Sequence, residues 1–326
     1  MRLHERAEAR VAEGDWPALR ELLRGQRRAV LLADPSLAYR YGEALYHTGR
    51  MEELAGYAAE YEASARRTTD PGGTMRALNL GGIAAFELGD MRAAREKFDA
   101  LLELAEAESD EDMLARAANN LGAIANLRGR RHEALAYYYL ALPLYQKVDR
   151  PRGLAQTHHN LGLSFRDLGN LAESVASYNT AIVLAESISY RPLVAMSTVG
   201  RAEAELRRGD VELGRKLADR GLALARETAD PISEAEALRV RGLVLAEQDA
   251  EGAGAYADLE AGLILAVDTR SALLEAEIER DLGRLEQGRG RRDEALEHLG
   301  AALQRFESLG AEAEARALRA EIDVLV

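Results

Sequence analysis

The chain contains no cysteine, which excludes disulfide bridges and thiolate metal sites. No stretch approaches the roughly 18–20 uninterrupted apolar residues that a membrane-spanning helix needs. The opening residues, MRLHERAEARV, lack the apolar core of a secretory signal. A soluble, cytoplasmic chain without membrane contact is the expectation. Lysine is almost missing: it stands only at 97, 147 and 216, so the other 39 of the 42 basic residues are arginine. That bias suggests a GC-rich, bacterial coding sequence. Surplus positive charge is also missing. The formal net charge is −13, which argues against nucleic-acid binding, a function that needs a basic footprint. From Pro231 onward 21 acidic residues face 11 basic ones, whereas residues 1–230 carry a net charge of only −3.

Constellations for catalysis are lacking too. His158 and His159 are the only histidine pair, and neighbours on a helix point about 100° apart, too far to share a metal readily. There is no H-E-x-x-H motif and no glycine-rich run after a strand pattern. The acidic run ESDEDM (108–113) fits a helix start, where negative charge is favoured. Neither a catalytic residue nor a metal or other cofactor is expected.

What is present is a period. Glycine followed by a polar residue recurs at Gly14, Gly49, Gly89, Gly129, Gly169, Gly209 and Gly290, with a step of 40 residues from Gly49 to Gly209. The member missing before Gly290 falls in EQDAEGAG (247–254), where one added residue lengthens the turn. Seven residues before each mark stands a second small residue: Ala7, Gly42, Gly82, Gly122, Gly162, Ala202, Gly242 and Gly283. Residues seven apart share a helix face, because two turns of 3.6 residues are 7.2. Small residues there let a second helix approach closely, and the glycine turn then reverses the chain. Large residues such as Phe98, Leu121, Tyr138 and Tyr178 fill the space between. Each unit is therefore a helical hairpin that must stack on its neighbours to bury its apolar face.

This pattern resembles the tetratricopeptide repeat, with NNLGAIANLRGRRHEALAYYYLALPLY (119–145) as its best copy. The resemblance implies an all-α, right-handed α-solenoid of stacked hairpins. Residues 1–326 then form a single solenoid. Residues 1–30 are a divergent capping hairpin, 35–310 hold seven repeats of about 40 residues, and 311–326 are a terminal helix with Leu318, Ile322 and Leu325 inward. Long repeats of this kind are similar to those of bacterial peptide-sensing regulators and of adaptor proteins. Pro143 is expected to bend its helix. Of the run Tyr137–Tyr139, Tyr138 is a core residue and the other two point elsewhere.

In such proteins the first helix of each hairpin lines a groove, and the resemblance assigns that face residue by residue. It places Tyr39, Arg40 and Tyr46 there, with Arg76, Asn79 and Phe86 in the next repeat. Arg116, Asn119, Asn120 and Asn126 follow, then Gln156, His159, Asn160 and Arg166. Beyond these the face changes character, offering Met196, Val199 and Glu203, and later Glu277, Arg280, Asp281 and Arg284. A carboxamide carries both donors and an acceptor, which suits the backbone of an extended peptide. The same asparagines could instead bond between repeats and set the geometry of the stack.

The expected function is a non-enzymatic scaffold or adaptor that holds a protein segment or peptide, acidic or carboxylate-terminated. The chain carries no DNA-binding or kinase-like appendage, so its output passes through a partner. Two alternatives remain. One is a homo-oligomeric structural protein that associates through the acidic last third. The other is a regulator like the repeat-built phosphatases of bacterial signalling. Those place a catalytic Gln or acid in a separate N-terminal bundle, for which residues 1–30 are short.

Overall fold

A computed structural model describes residues 3–248 and 253–325. Among them the chain forms 18 helices and no strand. The lengthened turn expected at 247–254 lies partly outside the described residues. The protein is an α-solenoid of stacked helical hairpins, and it divides into two compact units, Met1–Ile124 and Ala125–Val326.

The first unit begins with α1 (Leu3–Glu13), α2 (Trp16–Arg24) and a short α3 (Arg28–Leu32). The hairpin of α4 (Pro35–His47) and α5 (Met51–Arg67) follows. Next come α6 (Pro71–Glu87) and α7 (Met91–Glu108), and then α8 (Glu111–Leu127), in which the unit boundary falls. The second unit continues with α9 (Arg131–Lys147), α10 (Pro151–Asp167), α11 (Leu171–Ser187), α12 (Arg191–Arg207) and α13 (Val211–Glu227). It ends with α14 (Pro231–Gln248), α15 (Ala253–Asp268), α16 (Ala272–Gly288), α17 (Arg292–Ser308) and α18 (Glu312–Leu325). The short α3 has no place in the forty-residue pattern.

Local chemistry sets the helix limits. Asp70, Asp90 and Asp210 cap helices by accepting from the backbone N–H three residues on. Pro35, Pro71 and Pro151 stand at helix starts, where no donor is lost. Two kinds of turn alternate. Within the hairpins whose turn is described, the glycine adopts a left-handed φ, as at Gly169 (+80°) and Gly209 (+89°). In six of the turns between hairpins the left-handed residue is not glycine: Thr69, Ser109, Asp149, Ser189, Ala229 and Arg270 all lie at φ between +50° and +56°, and the turn from α17 to α18 has Gly310 at +67°.

Packing explains the small residues. A Cβ on Gly82 would stand 2.5 Å from the Phe98 ring. Tyr178 lies between two first helices, so that a Cβ on Gly162 or on Gly200 would come within 2.8 Å of its ring. Phe98, Tyr178 and Leu299 of second helices thus fill notches cut by glycine in first helices. In the first unit Tyr57 donates to the Ala38 carbonyl at 2.9 Å and packs edge-on against Tyr41. In the second, α9 continues through Pro143, which is exposed, as is Tyr139 four residues before it. Tyr138 is buried and Tyr137 half-buried.

The second unit also joins its beginning to its end. Leu127 packs with Phe306, Leu318, Ile322 and Leu325. The Gly129 turn lies against α18, where a Cβ on Gly129 would stand 2.4 Å from that of Ala313. Arg131 donates to Glu314 across 183 residues of sequence, and Arg284 holds Glu321 through two nitrogens.

Candidate functional site

The first helices of the hairpins repeat one position every forty residues: Tyr39, Asn79, Asn119, His159, Val199 and Arg239, then Arg280 after the added residue. Asn79, Asn119, His159, Val199 and Arg239 are all buried. A buried polar group needs a partner, and several of these find one on the next first helix. Asn120 Nδ2 donates to Asn79 Oδ1 at 3.3 Å. His159 Nδ1 lies 3.1 Å from Ser197 Oγ, and the ring meets Tyr178 edge-on. Ser164 Oγ donates to Asn126 Oδ1 at 2.7 Å. Burial holds His159 at about 4, with Arg166 pushing the same way, so the ring is neutral near pH 7.

In the first unit these helices bring together a cluster of arginines and aromatic residues, with carboxylates among them. Tyr39 is half-buried and desolvation pushes its hydroxyl up, with Arg116 pulling it back and Glu43 and Asp112 adding to the rise. Residues on α4 and α8 are therefore electrostatic neighbours. Burial likewise lifts Tyr61 to about 12 against the opposing pull of Arg76, which hydrogen-bonds its side chain. Arg40 is bonded to Glu8 at 2.9 Å and Glu43 at 2.7 Å, and Arg116 to Asp112 at 3.2 Å. Phe86 and Tyr46 are half-buried on the same helices' last turns.

The second unit carries a ladder of buried charges. Glu203 Oε2 accepts from Arg166 at 2.7 Å and from Arg239 at 2.6 Å, while Oε1 accepts from Arg207 at 2.6 Å. Arg239 reaches on to Asp281 at 2.8 Å, and Arg280 holds the other Asp281 oxygen at 3.0 Å. Desolvation opposes ionisation of Glu203, but the guanidiniums of Arg166, Arg239 and Arg207 hold its carboxyl well below the usual range. Glu236, without such direct contacts, is pushed up to about 7, chiefly by desolvation. The carboxylates of Glu277 and Glu203 reinforce that rise, and Arg239 and Arg166 oppose it. A cavity of about 170 Å³ opens beside the ladder, reaching Arg131, Asp167, Glu277 and Glu314.

The residues expected on the groove face thus fall into two units. Tyr39, Arg40, Tyr46, Arg76, Asn79, Phe86, Arg116, Asn119 and Asn120 belong to the first, and Asn126, Gln156, His159, Asn160 and Arg166 to the second. Gln156 is exposed and Asn160 half-buried. Arg239 escaped sequence reasoning, although its place forty residues beyond Val199 was a signal.

The repeat pattern has an independent match. A family model described as tetratricopeptide repeat matches residues 73–147 and 113–187. Residues 73–187 carry tetratricopeptide repeats. The buried polar row and the glycine notches are features of those repeats as this chain builds them. Among solved structures, the chain is similar to a Rap protein complexed with competence and sporulation factor, at 13% identity and a TM-score of 0.67. That match covers 99% of this chain and 96% of the other. It is similar to the Rap conjugation gene regulator of plasmid pLS20 in complex with the Phr* peptide: identity 15%, TM-score 0.67, coverage 86% and 77%. Aspartyl phosphate phosphatase F from Bacillus subtilis matches at 15% identity and a TM-score of 0.63, over 88% and 74%. At these identities the likeness is one of fold. No curated protein sequence matches the chain. Among the described residues no helix is long and apolar enough to cross a membrane.

Proposed function

We propose that this tetratricopeptide-repeat chain is a non-enzymatic scaffold that captures a peptide or protein segment on the first-helix face of its hairpins. The cluster in the first unit carries the reading. Tyr39, Arg40, Arg76 and Arg116 gather on neighbouring first helices of an acidic protein. Guanidinium groups pair well with carboxylates, and aromatic side chains with arginines are typical anchors of binding surfaces. An acidic or carboxylate-terminated peptide is the ligand this chemistry suits. Two of the similar structures hold a named factor or peptide, which supports the same reading. Asn79 and Asn120 then act by fixing the wall rather than by clamping the ligand backbone.

The test is selection from a displayed peptide library on the purified full chain, followed by titration of enriched sequences. Enriched acidic peptides that bind Arg76→Ser and Arg116→Ser variants at least about tenfold more weakly, about 1.4 kcal/mol, would support the proposal. Enrichment of nothing, or binding indifferent to both variants, would overturn it. A second reading is a regulator of a signalling protein. It draws on the fold match that spans 96% of a Rap chain, and the library experiment leaves it standing only if a peptide alters capture of a further protein.

A further inference from the structure

The outer face of the second helices changes character along the second unit. On α13 every exposed residue except Ala223 is charged. On α9 the exposed residues between His132 and Lys147 are Ala136, Tyr139, Leu140, Pro143 and Gln146, none of them charged. Tyr139 is 55% exposed and Leu140 41%. The equivalent stretch of α11, between Glu173 and Glu186, exposes only Ala176, Thr180 and Val183. A chain of net charge −13 repels its own copies over most of its surface. On α9 that repulsion gives way to side chains that gain by leaving water.

Spacing orders this face. Glu133, Ala136, Leu140, Pro143 and Lys147 follow one another in steps of 3, 4, 3 and 4, the seam along which two helices pack. Leu140 stands at its centre, seven residues from Glu133 and seven from Lys147. When a second α9 lies antiparallel across the first with a two-fold axis at Leu140, residues equally far from Leu140 on opposite sides meet. Leu140 then packs on its own copy, and Glu133 of each chain faces Lys147 of the other. An isologous contact demands this self-complementarity. Glu133 pairs with Arg130 at 2.9 Å but leaves 32% of its side chain exposed, room for a second cation. The outer face of α15 is apolar too, with Ile264 and Val267 exposed. The same operation about Ile264 sets Glu260 against Asp268, acid on acid, and α15 holds no lysine or arginine. Charge therefore selects α9.

We propose that the chain forms a two-fold dimer in which α9 packs antiparallel on α9 of a second copy. Tyr139, Leu140 and Pro143 make the apolar contact, and ion pairs between Glu133 and Lys147 close it at both ends. The apolar side chains supply the affinity, and the exposed pairs set direction and register. All these residues belong to the second unit, so the inference stands apart from the peptide-binding cluster of the first.

Sedimentation equilibrium of the full chain tests it. A reversible equilibrium between monomer and dimer is expected, with a dissociation constant on the order of 10 µM, because one helix face makes a contact at the small end of specific interfaces. Leu140→Glu puts two like charges on the axis and should weaken the dimer at least about a hundredfold. The position is exposed, so the melting temperature of the dilute monomer should not change. Lys147→Glu sets acid against Glu133 at both ends and should weaken the dimer about tenfold, and adding Glu133→Lys to it should restore the wild-type value. Ile264→Glu should leave the dimer as it is. A chain that stays monomeric up to about 200 µM would overturn the proposal and leave the α9 face to a different protein. So would a dimer that survives Leu140→Glu in a folded chain, or one indifferent to Lys147→Glu. Failure of the double exchange to restore what Lys147→Glu removes would refute the antiparallel arrangement, and loss of the dimer in Ile264→Glu would move the contact to α15.

Discussion

Arg239 donates to Glu203 at 2.6 Å with both side chains almost wholly buried, joining the first helices of consecutive repeats by an ion pair. Removing one partner of such a pair leaves a buried charge without compensation. The Arg239→Met variant should therefore lose about 3–5 kcal/mol of stability in urea denaturation. Arg207 bonds the same carboxylate but is 42% exposed. Its Met variant should lose less than about 1 kcal/mol. Similar losses in the two variants would mean that burial does not govern the ladder.

The pH dependence of stability combines two opposed slopes. Glu236, at about 7 when folded against an ordinary 4.5, keeps a proton that the unfolded chain has released between those values, so stability falls as pH rises. His159, at about 4 against 6.5, does the reverse, because the unfolded chain takes up the proton first. Glu203 stays ionised in the folded chain, and because its unfolded carboxyl is also ionised above about pH 5.5 it adds no slope there. Wild-type stability should be nearly flat from about pH 5.5 to 6.5. Glu236→Gln should then make it rise by up to about 1.4 kcal/mol per pH unit, and His159→Gln should make it fall by a similar amount. Denaturant series at four pH values decide the matter, and flat profiles in both variants would refute it.

The notch at Gly162 sets a limit on size. Gly162→Leu should overpack against Tyr178 and lower stability by about 1–3 kcal/mol or more. Gly169→Ala, with nothing within 4 Å of its added Cβ, should cost only the left-handed backbone, about 1–2 kcal/mol. A melting temperature unmoved by Gly162→Leu would contradict the packing described.

The turns between hairpins offer a gain. Ala229 holds φ at +50°, where a Cβ is unfavourable by about 1–2 kcal/mol, part of which glycine returns through the entropy of the unfolded chain. Ala229→Gly should raise stability by up to about 1 kcal/mol in thermal denaturation. A loss would show that the turn tolerates alanine without strain.

The hairpins were legible because one residue type answers two demands. Glycine at the turn and glycine at the notch both recur every forty residues, so the period survives the variation around it. The turns between hairpins left no such mark, since threonine, serine, aspartate, alanine and arginine all serve there. The five-residue α3 is too short to show a period. The role of the asparagines was harder to read. An amide on a first helix suits a ligand or the next helix equally, and only the rotation of that helix, which buries Asn79 and Asn119, decides where it points. The groove face was read as far as Arg166, and its change of character further on was visible in Glu203 and Asp281. Without Arg239 those carboxylates could not be joined into one ladder. The contact of Arg131 with Glu314 lies 183 residues apart in sequence, beyond any repeat-by-repeat reading.

That contact changes how the second unit should come apart. In an open array the end repeats have one neighbour each and fray first. Here the turn at Gly129 and the helix at Ala313 are each other's neighbours, so the stack has no loose end from which opening can spread. Amide exchange in α9 and α18 should be as slow as in the helices between them, and cutting the chain in the Asp149–Pro151 turn should create the frayed end that the intact unit lacks.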